Sequence, residues 1–589
     1  MGGMGLVFNI AKDALIAQRY SMDVTAHNIA NVDTPGYSRQ DPVLAARIST
    51  PVNGLNFGTG ADIDAITRNS DQLLENRLMK QKSSLLSSEE MASYLRVLEG
   101  IFNENTETSI SALLSDFWNQ WHEISINPDG PSERMALHEQ GNLLSDQLLL
   151  LDGEMSQMVV DLTKSVSAGI SKVNQITAEI AETNQKVTGL ELDQPAADLR
   201  DKRNTLISEL SGYLDITTFE QSNGTVTVVS AKGAILVQDD SSYDLALGGV
   251  DGDRVIWQSS GSTMIDITDH ITNGSINGWL DMRDEVIAET RLDLDAMVKE
   301  FIWMVNGQHS QGVGAKLFEP GMTLTGSYQT STDLGDLQFG NRIQFVANAF
   351  ELWIEDRTIP GNPVMNNVTI DLSGLNGGST LTDLATEINN QIAGAGLAGV
   401  TADGSGTSLE LTADNNTAFG FSDDASGILA ALGVNTFFEG FGSGTIGMNN
   451  TLTDHEYIAA GRIDNGGNYP SGDNTNALAM TDLQFTSTPI EQWTVDRANG
   501  NTVVNITSTI EDYYHSLVGA IGLTSSSVSR GMVFQEDMVA KLQDMRDAIS
   551  AVSLDEEMTN LIKYQHAYAS AAKLISAADE MLQTLLDMK

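Results

Sequence analysis

Helical spacing at both ends of the chain is the feature that most constrains its fold. Near the N-terminus, residues at a 3-4 spacing fall on one line of a helix: Phe8, Ala11, Leu15, Gln18, Met22, Thr25 and Ile29. The last segment repeats this spacing more regularly, with Leu561, Tyr564, Tyr568, Ala571, Ile575, Ala578, Leu582 and Leu585. An isolated helix of this length is marginal in water, because packing supplies most of its stability. The two helices therefore either pack back on one globular core or form a terminal coiled coil, with each other or with further copies of the chain.

A sharp break follows the first helix. Pro35 fixes φ and biases Thr34 away from the helical region, and Gly36 can take the positive φ of a type II turn. We therefore expect the helix to end near Asn31 and a turn to run from Thr34 to Tyr37. This turn either joins two packed helices or begins a link to a separate layer of the molecule.

The interior alternates between helical and β-rich regions. Residues 70–205 are rich in helix formers and predict long rods, interrupted by a turn at "NPDGP". Alternating β-branched residues around Asn223-Gly224 predict a hairpin. Helical spacing returns at 276–309 and again from about 510 to the C-terminus.

The region between these last two helical segments is rich in Gly, Thr, Asn and Asp, which predicts β structure. Within it, "VTIDLSGLNGGSTLTDLATEINNQI" and "VTADGSGTSLELTA" predict a strand, a short helix and a strand pair. The order of helices, β structure and helices predicts a multidomain α+β fold. We expect terminal helices forming a coiled coil, a long-helix bundle domain, and β-rich outer domains inserted in the middle of the chain.

Composition excludes several classes of function. The 589 residues carry 32 Lys and Arg against 79 Asp and Glu, a formal net charge of −47, which disfavours nucleic acid and anionic membrane surfaces as partners. Residues 321–500 contain 21 acids, 4 Arg and no Lys, so 4 minus 21 gives a net charge of −17 and predicts an outer, solvated region. The chain has no cysteine, which excludes disulfides and thiol chemistry. We expect neither a cleaved signal peptide nor membrane insertion.

No pattern of residues predicts catalysis. The eight His residues form no zinc-type pair, and neither a phosphate-binding glycine loop with Lys nor a Gly-x-Ser-x-Gly elbow occurs. "VDGD" at 250–253 and "SDDAS" at 422–426 lack the oxygen spacing of a calcium loop and are expected to be solvated turns. Trp118 and Trp121 are expected to anchor a core rather than a ligand cage. The sequence predicts no enzyme, no cofactor and no metal.

Two stretches at opposite ends of the chain resemble one family. "NIANVDTPGYSRQ", residues 28–40, resembles the N-terminal signature of bacterial flagellar axial proteins of the rod, the hook and the hook-filament junction. Residues 553–586, beginning "SLDEEMTNLIKYQ", resemble the signature at the other end of the same proteins. Two matches in the expected order are far more specific than either alone.

Interior segments point to the junction members of this family. "LSDFWNQWHEI", "DLRDKRNTLISELSGYLDI" and "INGWLDMRDEVI" resemble their helical domain, whereas hook and rod members have β-rich domains beside the terminal coil. The resemblance covers about 1–320 and 470–589. The remainder, with "LTDLATEINNQI", is similar to a module found inserted in flagellins and junction proteins.

The resemblance implies three domains. Residues 1–60 and 551–589 would form a terminal coiled-coil inner-tube domain with an extended link. Residues 61–320 and 511–550 would form a helical domain with a small β subdomain at about 213–275. Residues 321–510 would form one or more β-rich acidic outer domains, with a flagellin-type insert at about 340–440.

The resemblance also implies a structural role in which the protein assembles through its terminal helices into the hook-filament junction. The implied partners are further copies of itself in about one helical turn, the hook protein on one side, a second junction protein on the filament side, and a cytoplasmic export chaperone on the C-terminal helix. Export would use the flagellar type III channel, without a cleaved signal, to an extracellular position. The residues assigned to the assembly interface are Phe8, Ala11, Leu15, Met22, Ile29, Asn31, Pro35, Gly36, Tyr37, Leu561, Tyr564, Gln565, Tyr568, Ala571, Ile575, Ala578, Leu582 and Leu585.

Other functions stay open from the sequence. The chain could be another flagellar axial protein, of the hook or the distal rod. A secreted acidic adhesin that uses the β-rich region is a second alternative, but it leaves both terminal signatures unexplained. An enzyme within the same insert is a third, and it lacks any catalytic pattern.

Overall fold

A computed structural model describes residues 2–52, 55–104, 106, 108–190, 196–250, 252–258, 264–346, 348–359 and 361–587. The chain divides into two compact units. The first unit contains Met1–Tyr94, Asp161–Met282 and Ser526–Lys589, and the second contains Leu95–Val160 and Arg283–Ser525.

The α-helices occur along the whole chain. They are α1 (Gly2–Ala30), α2 (Gln72–Ile101), α3 (Ile110–Ile126), α4 (Pro131–Leu190), α5 (Ala197–Tyr213), α6 (Ser275–Asp281), α7 (Ala288–His309), α8 (Leu381–Gly394), α9 (Ile428–Leu432), α10 (Thr475–Leu483), α11 (Ile510–Ser550) and α12 (Leu554–Asp587). A π-helical segment, Met282–Ile287, connects α6 to α7. Helix α4 is 60 residues long, which confirms the long rods predicted before residue 205. Between α3 and α4 lies the predicted turn at "NPDGP".

The strands of the first unit form a ribbon and a small β region. The ribbon strands are β1 (Gln40–Ala46), β2 (Thr50–Val52), β3 (Leu55–Phe57) and β4 (Ala61–Arg68), with β1 paired to β4 and β2 paired to β3. The small β region contains β5 (Thr217–Glu220), β6 (Val226–Val229), β7 (Ile235–Gln238), β8 (Ser241–Ser242), β9 (Leu245–Gly248), β10 (Arg254–Gln258) and β11 (Met264–Asp266). Strands β5 and β6 pair antiparallel around Gly224, whose φ is +81°, which confirms the predicted hairpin.

The second unit holds the remaining strands. They are β12 (Thr323–Thr325), β13 (Ala349–Asp356), β14 (Val364–Asp371), β15 (Val400–Asp403), β16 (Glu410–Ala413), β17 (Thr417–Ser422), β18 (Phe438–Glu439), β19 (Gly447–Met448), β20 (Thr488–Thr494) and β21 (Thr502–Ser508). They form two three-stranded sheets, in the orders β12-β16-β15 and β14-β13-β17, and two antiparallel pairs, β18-β19 and β20-β21. Strand β14, helix α8 and the pair β15-β16 follow the predicted order of strand, helix and strand pair.

An aromatic cluster forms part of the second unit's core. Its rings are those of Phe117, Trp118, Trp121, Phe301, Phe437 and Phe438, all at most 3% exposed. The ring of Phe301 lies 5.5 Å from that of Phe117 and 5.3 Å from that of Phe438, between centroids. Trp118 and Trp121 are therefore core anchors, as predicted.

His309 borders this cluster as a neutral, fully buried imidazole. Its Nδ1 lies 2.8 Å from the Asn435 carbonyl oxygen, and its Nε2 accepts a hydrogen bond of 3.0 Å from the Ala459 amide. One nitrogen donates and the other accepts, so both are satisfied only in the neutral ring. Burial lowers the pKa of His309 to about 4.

A row of carboxylates on the π-helical segment and α7 holds the edge of β20 and the turn after it. Glu285, Glu289 and Asp293 accept hydrogen bonds from the backbone amides of Arg497, Val495 and Trp493, at 3.0, 3.0 and 2.7 Å. Four helical residues rise about 6 Å and two strand residues about 6.7 Å, so the two spacings match. Burial raises the pKa of Asp293 to about 6.

The expected fold class is confirmed: the chain is a multidomain α+β protein with long terminal helices and a β-rich middle. The two compact units do not test the three predicted domains, whose boundaries stay a prediction.

Candidate assembly site at the terminal joint

The predicted break after α1 is a turn closed by hydrogen bonds. Helix α1 ends at Ala30, and the Tyr37 amide donates to the Thr34 carbonyl at 3.2 Å. Gly36 has φ +78°, and a Cβ there would lie 2.4 Å from Thr205 Oγ1. Glycine is therefore required at this position both by backbone conformation and by the approach of α5. The sequence signals at Pro35 and Gly36 are confirmed.

Asn28 lies at the centre of the joint and is 1% exposed. Its Oδ1 accepts hydrogen bonds from the Tyr37 hydroxyl at 2.8 Å and the Gln40 amide at 3.0 Å. Its Nδ2 donates to the Gln40 carbonyl at 2.9 Å and to Glu557 Oε2 at 3.1 Å. All four hydrogen bonds available to an Asn side chain are made. The first and last residues of the N-terminal signature are thereby tied to the C-terminal one.

Arg39 makes the second connection between the two ends of the chain. Its Nη1 lies 2.7 Å from Glu556 Oε2, and its Nε lies 3.0 Å from Glu557 Oε1. The Arg39 amide also donates to the Ser550 carbonyl at the end of α11, at 2.9 Å. Burial lowers the pKa of Arg39, but the carboxylates of Asp41, Glu557 and Glu556 outweigh burial and raise it. This guanidinium stays charged at any physiological pH.

Helix α5 contributes two carboxylates to the joint. Asp201 Oδ2 accepts from the Ser38 amide at 3.0 Å, and its Oδ1 accepts from Arg68 Nη1 at 2.6 Å. Asp198 Oδ1 accepts from Gln40 Nε2 at 2.8 Å. Both aspartates lie in "DLRDKRNTLISELSGYLDI", so three of the segments that carry the family resemblance converge at one place.

The joint also fixes the protonation of Tyr37. Burial, together with Asp198, Asp201 and Glu557, raises the pKa of its phenol well above the ordinary value. The hydroxyl therefore stays protonated and donates to Asn28. We call the hydrogen-bonded set of Asn28, Tyr37, Ser38, Arg39, Gln40, Asp198, Asp201, Glu556 and Glu557 the joint network. Of this set, only Tyr37 is among the residues predicted from the sequence to form the assembly interface, because no periodicity links the others.

Small side chains line the contact between α1 and α12. The buried residues of α1 are Ala11, Ala17, Ser21, Val24, Thr25 and Asn28, and those of α12 are Glu557, Ala571 and Ala578. Small residues let helix backbones approach closely. Since Asn28 near the end of α1 contacts Glu557 near the start of α12, the two helices run antiparallel.

The residues assigned to the interface differ in exposure within one chain. Ala11, Ala571 and Ala578 are buried. Half-buried are Leu15, Met22, Ile29, Asn31, Tyr37, Leu561, Tyr564 and Ile575. Exposed are Phe8, Pro35, Gly36, Gln565, Tyr568 and Leu582. The side chain of Leu585 lies outside the described residues. Their role as an interface between copies stays a prediction.

The ribbon lies along α1. The Arg47 guanidinium pairs with Asp13, and a Cβ at Gly60 would lie 3.5 Å from Ile10 Cα. Gly60 has φ +105°, a conformation that glycine adopts without strain. Beside the joint, a cleft of about 500 Å³ opens between the turn and the helices α2, α5 and α11. Asp33, Pro35, Glu75, Lys82 and Arg546 are among its lining residues.

Among the described residues, no group of three or more His, Asp or Glu side chains is placed to hold a metal ion. The expectation that "SDDAS" is a solvated turn is wrong at Asp424, which is buried because it accepts hydrogen bonds from the Ser426 hydroxyl and from the Leu429 amide at the start of α9. Asp251 of "VDGD" lies outside the described residues.

One stretch within Ile510–Thr584 is long and apolar enough, by length and composition, to cross a membrane. Its mean hydropathy is 1.2 and only 11% of it is buried. The range that contains this stretch spans α11 and α12, and length and composition alone assign no membrane to it.

Three family models match the chain in separate places. Residues 8–37 match the flagella basal body rod protein model, and residues 547–588 match the C-terminal model of the flagellar basal body rod FlgEFG proteins. Residues 95–324 match the helical domain of flagellar hook-associated protein FlgK. The two terminal matches contain four of the nine residues of the joint network, namely Asn28, Tyr37, Glu556 and Glu557.

Full-length relatives agree with these matches. Flagellar hook-associated protein 1 of Escherichia coli K12 is 25% identical over 618 residues, and that of Salmonella typhimurium is 24% identical over 612, each covering 100% of both chains. The solved structure of the flagellar hook junction protein FlgK from Burkholderia pseudomallei matches with a TM-score of 0.50 and 15% identity. It covers 81% of this chain and 100% of the other. The structural likeness supports the fold.

The models that match the two ends of the chain are those of flagellar rod proteins, and the joint network brings these two segments together. Between them lies the match to the helical domain of flagellar hook-associated protein FlgK. The chain is similar over its full length to flagellar hook-associated protein 1, and these matches support a structural role in the flagellum at the hook-filament junction.

Proposed function

We propose that this protein is a structural component of the bacterial flagellum that joins the hook to the filament and assembles through α1 and α12. The observation that carries the proposal is the bond between Asn28 and Glu557, which unites the two terminal signatures in one joint. A joint of this kind sets the direction in which α1 and α12 leave the rest of the first unit. Copies with identical joints can then repeat one contact around a ring.

The partners follow from this role. We propose that the protein contacts further copies of itself in about one helical turn, the hook protein on one side and a second hook-associated junction protein on the other. A cytoplasmic chaperone would cover α12 before export, because its apolar residues Met558, Ile562 and Leu574 are at least 50% exposed. Export through the type III channel to the cell exterior is supported by the absence of cysteine, since no disulfide can hold the chain folded.

Each of the three proposed domains would form a different layer of the assembly. Residues 1–60 with 551–589 would build the inner tube, and 61–320 with 511–550 the helical layer around it. Residues 321–510 would form the acidic outer layer, and no enzymatic activity is expected from any of the three.

A pair of alanine substitutions on α12 tests the assembly role. Ala571 is 6% exposed in the contact with α1, whereas Ala569 on the same helix is exposed. We expect Ala571→Asp to abolish filament attachment because it places a charge in the small-residue contact. Ala569→Asp should leave attachment unchanged.

The measurement is swimming motility together with antibody labelling of the hook tip, in cells that produce each variant as their only copy. Circular dichroism of the purified proteins checks that both variants fold. If Ala571→Asp still labels the hook tip and supports filaments, assembly does not use this contact.

A further inference from the structure

Two histidines from distant parts of the chain lie beside each other in the second unit. His138 belongs to α4, and His455 begins a 3₁₀ helix, His455–Tyr457. The centroids of their imidazole rings are 4.7 Å apart, with 44° between the ring planes. Both side chains are half-buried. The pair lies outside the aromatic cluster and outside the row of carboxylates on α7, so it serves neither of these packing contacts.

Arg134 holds the two histidines against each other. It lies one turn before His138 on α4 and is 3% exposed. Its Nη1 donates to the Ile458 carbonyl at 2.5 Å and lies 3.5 Å from the His455 carbonyl oxygen. Its Nε donates to the Pro128 carbonyl at 3.1 Å. A buried guanidinium thus ties the backbone around His455 to α4, and the two imidazoles are held close together in advance of any ligand.

The Nδ1 atom of each ring faces a polar group of the protein. His455 Nδ1 lies 3.1 Å from the Leu452 carbonyl oxygen, to which it donates. His138 Nδ1 lies 3.2 Å from the Asn142 amide, which can turn its oxygen to accept a proton, and 3.9 Å from Glu139 Oε1. Metal-binding histidines usually donate one ring N–H to a carbonyl or carboxylate, which leaves the other nitrogen for the metal. Among the described residues, neither Nε2 has a hydrogen-bond partner.

The separation of the two rings fits a shared metal ion. An imidazole nitrogen binds Zn²⁺ at about 2.0–2.1 Å, which places the ring centroid about 3.2 Å from the metal. Two such rings that subtend about 90–109° at the metal have centroids about 4.5–5.2 Å apart. The 4.7 Å between His138 and His455 lies within this range.

The charges beside the pair favour a cation. Glu139, Asp454 and Glu456 are the sequence neighbours of the two histidines, and they carry three negative charges. Lys316 is paired with Asp454 at 2.6 Å and with Glu456 at 2.8 Å, and Arg134 is the second cation. Two positive and three negative charges leave a net charge of −1 while both imidazoles are neutral.

We infer that His138 and His455 bind one divalent transition-metal ion through their Nε2 atoms, with water in the remaining positions. Imidazole suits Zn²⁺, Ni²⁺ and Cu²⁺, whereas Mg²⁺ and Ca²⁺ prefer oxygen ligands. Among the described residues, no third His, Asp or Glu is placed to join the pair, so binding is weaker than at a four-ligand zinc site. The bound ion would link α4 to residues 449–461 within the second unit. The site lies within one copy and does not depend on the proposed junction role.

The first test uses the purified full-length chain and Zn²⁺ alone. Isothermal titration calorimetry at neutral pH should show one site per chain, and excess Mg²⁺ should not displace the Zn²⁺. We expect His138→Ala and His455→Ala each to abolish this binding. His122→Ala is the matched control and should keep it, because His122 is exposed on α3 of the same unit and makes no ring contact with another histidine in the described part of the chain.

Cu²⁺ gives a second readout that needs no variant. With less than one Cu²⁺ per chain, the electron paramagnetic resonance spectrum of the unsubstituted protein should show splitting from two nitrogen ligands. Each single variant should show one nitrogen at most. Zn²⁺ should also raise the midpoint of urea unfolding in His122→Ala, but not in His455→Ala, because an ion that binds only the native state stabilises it.

Each of the opposite results would overturn the inference. One nitrogen in the spectrum of the unsubstituted chain, or no heat with Zn²⁺, excludes the shared site. Equal weakening by all three substitutions indicates an adventitious ion only. If circular dichroism shows that His138→Ala or His455→Ala does not fold, the Cu²⁺ spectrum and the Zn²⁺-dependent unfolding of the unsubstituted chain decide, and an unchanged midpoint refutes the site.

Discussion

The aromatic cluster of the second unit and the terminal helix pair of the first unit differ in the size of the side chains that they bury. The cluster buries six large rings almost completely, among them Phe117 and Trp121 at 0% exposed. The helix pair buries mainly alanine, serine and threonine, and it leaves Phe8, Leu582 and Leu586 at least 42% exposed. The cluster is buried within one chain, whereas the helix pair leaves large apolar side chains exposed.

This difference indicates how much each region contributes to the stability of a free subunit. Burial of large apolar side chains contributes about 1.5–3 kcal/mol each, so the aromatic cluster can stabilise a free subunit. A contact between small side chains removes less apolar surface from water. Its exposed apolar neighbours gain stability only when another molecule covers them. We expect substitutions in the two regions to separate folding from assembly.

The largest effect is expected from Phe301→Ala in the cluster. The substitution removes a ring that contacts Phe117, Trp118 and Phe438 and leaves a cavity, which should lower the unfolding free energy of the second unit by about 3–5 kcal/mol. Urea unfolding followed by tryptophan emission measures this loss.

Leu582→Ala in the helix pair is the matched comparison. Because Leu582 is 43% exposed, unfolding of the free protein should change by less than about 0.5 kcal/mol, while filament attachment falls. Equal effects of the two substitutions on urea unfolding would remove the distinction between the regions.

The second-largest expected effect is a loss of about 3 kcal/mol of unfolding free energy as the pH falls. His309 has its pKa lowered from 6.5 to about 4, so between these values the unfolded chain binds a proton that the native chain does not. The stability that neutral His309 contributes is therefore fully present above pH 6.5 and lost as pH falls towards 4, by about 3 kcal/mol.

The titration of Asp293 changes the unfolding free energy with pH in the direction opposite to that of His309. Its pKa is raised to about 6, so the native chain binds the extra proton below that value and gains stability as pH falls. Asp293→Asn keeps an acceptor for the Trp493 amide and removes this compensation. We expect the variant to lose stability more steeply than the unsubstituted chain between pH 6.5 and 4, in urea unfolding at a series of pH values. Parallel curves would show that Asp293 does not titrate in this range.

The smallest expected effect is local to the joint. Asn28→Ala removes four hydrogen bonds and leaves the Tyr37 hydroxyl, the Gln40 amide and Glu557 without this partner. Local opening should become easier by about 1–3 kcal/mol, which is about a tenfold to hundredfold loss of amide protection at Gln40. Hydrogen exchange with mass spectrometry measures it.

Asn31→Ala is the control for this variant, because within the described part of the chain the Asn31 side chain hydrogen-bonds only to the nearby His27 and Thr34. Protection at Gln40 should be unchanged in the control. If both variants lose protection equally, the joint is held by the turn and not by Asn28.

Features with a local cause could be predicted from the sequence. Pro35 and Gly36 determine the turn through their own backbone preferences, and Asn223-Gly224 does the same for the hairpin. The joint network could not be predicted, because Asn28, Asp201 and Glu557 come from distant segments with no shared spacing.

The contact face of α1 shows a further limit of the sequence. The line through Phe8, Leu15 and Met22 follows the larger side chains, yet the buried face is centred on Ala17, Ser21 and Thr25. A packing rule based on hydrophobicity favours large residues, whereas this contact selects small ones. Gly60 beside Ile10 shows the same preference for close approach.

The hydrogen bond between Asn28 and Glu557 also determines when the joint can form during synthesis of the chain. The two residues are 529 positions apart, so the joint cannot close until nearly the whole chain is available. At about 5–20 residues per second, a ribosome needs roughly half a minute to two minutes to make that length. Throughout this interval Asn28 and Arg39 have no C-terminal partners. Closure of the joint is therefore among the last events in the maturation of each copy, and a truncated chain that lacks α12 can never complete it.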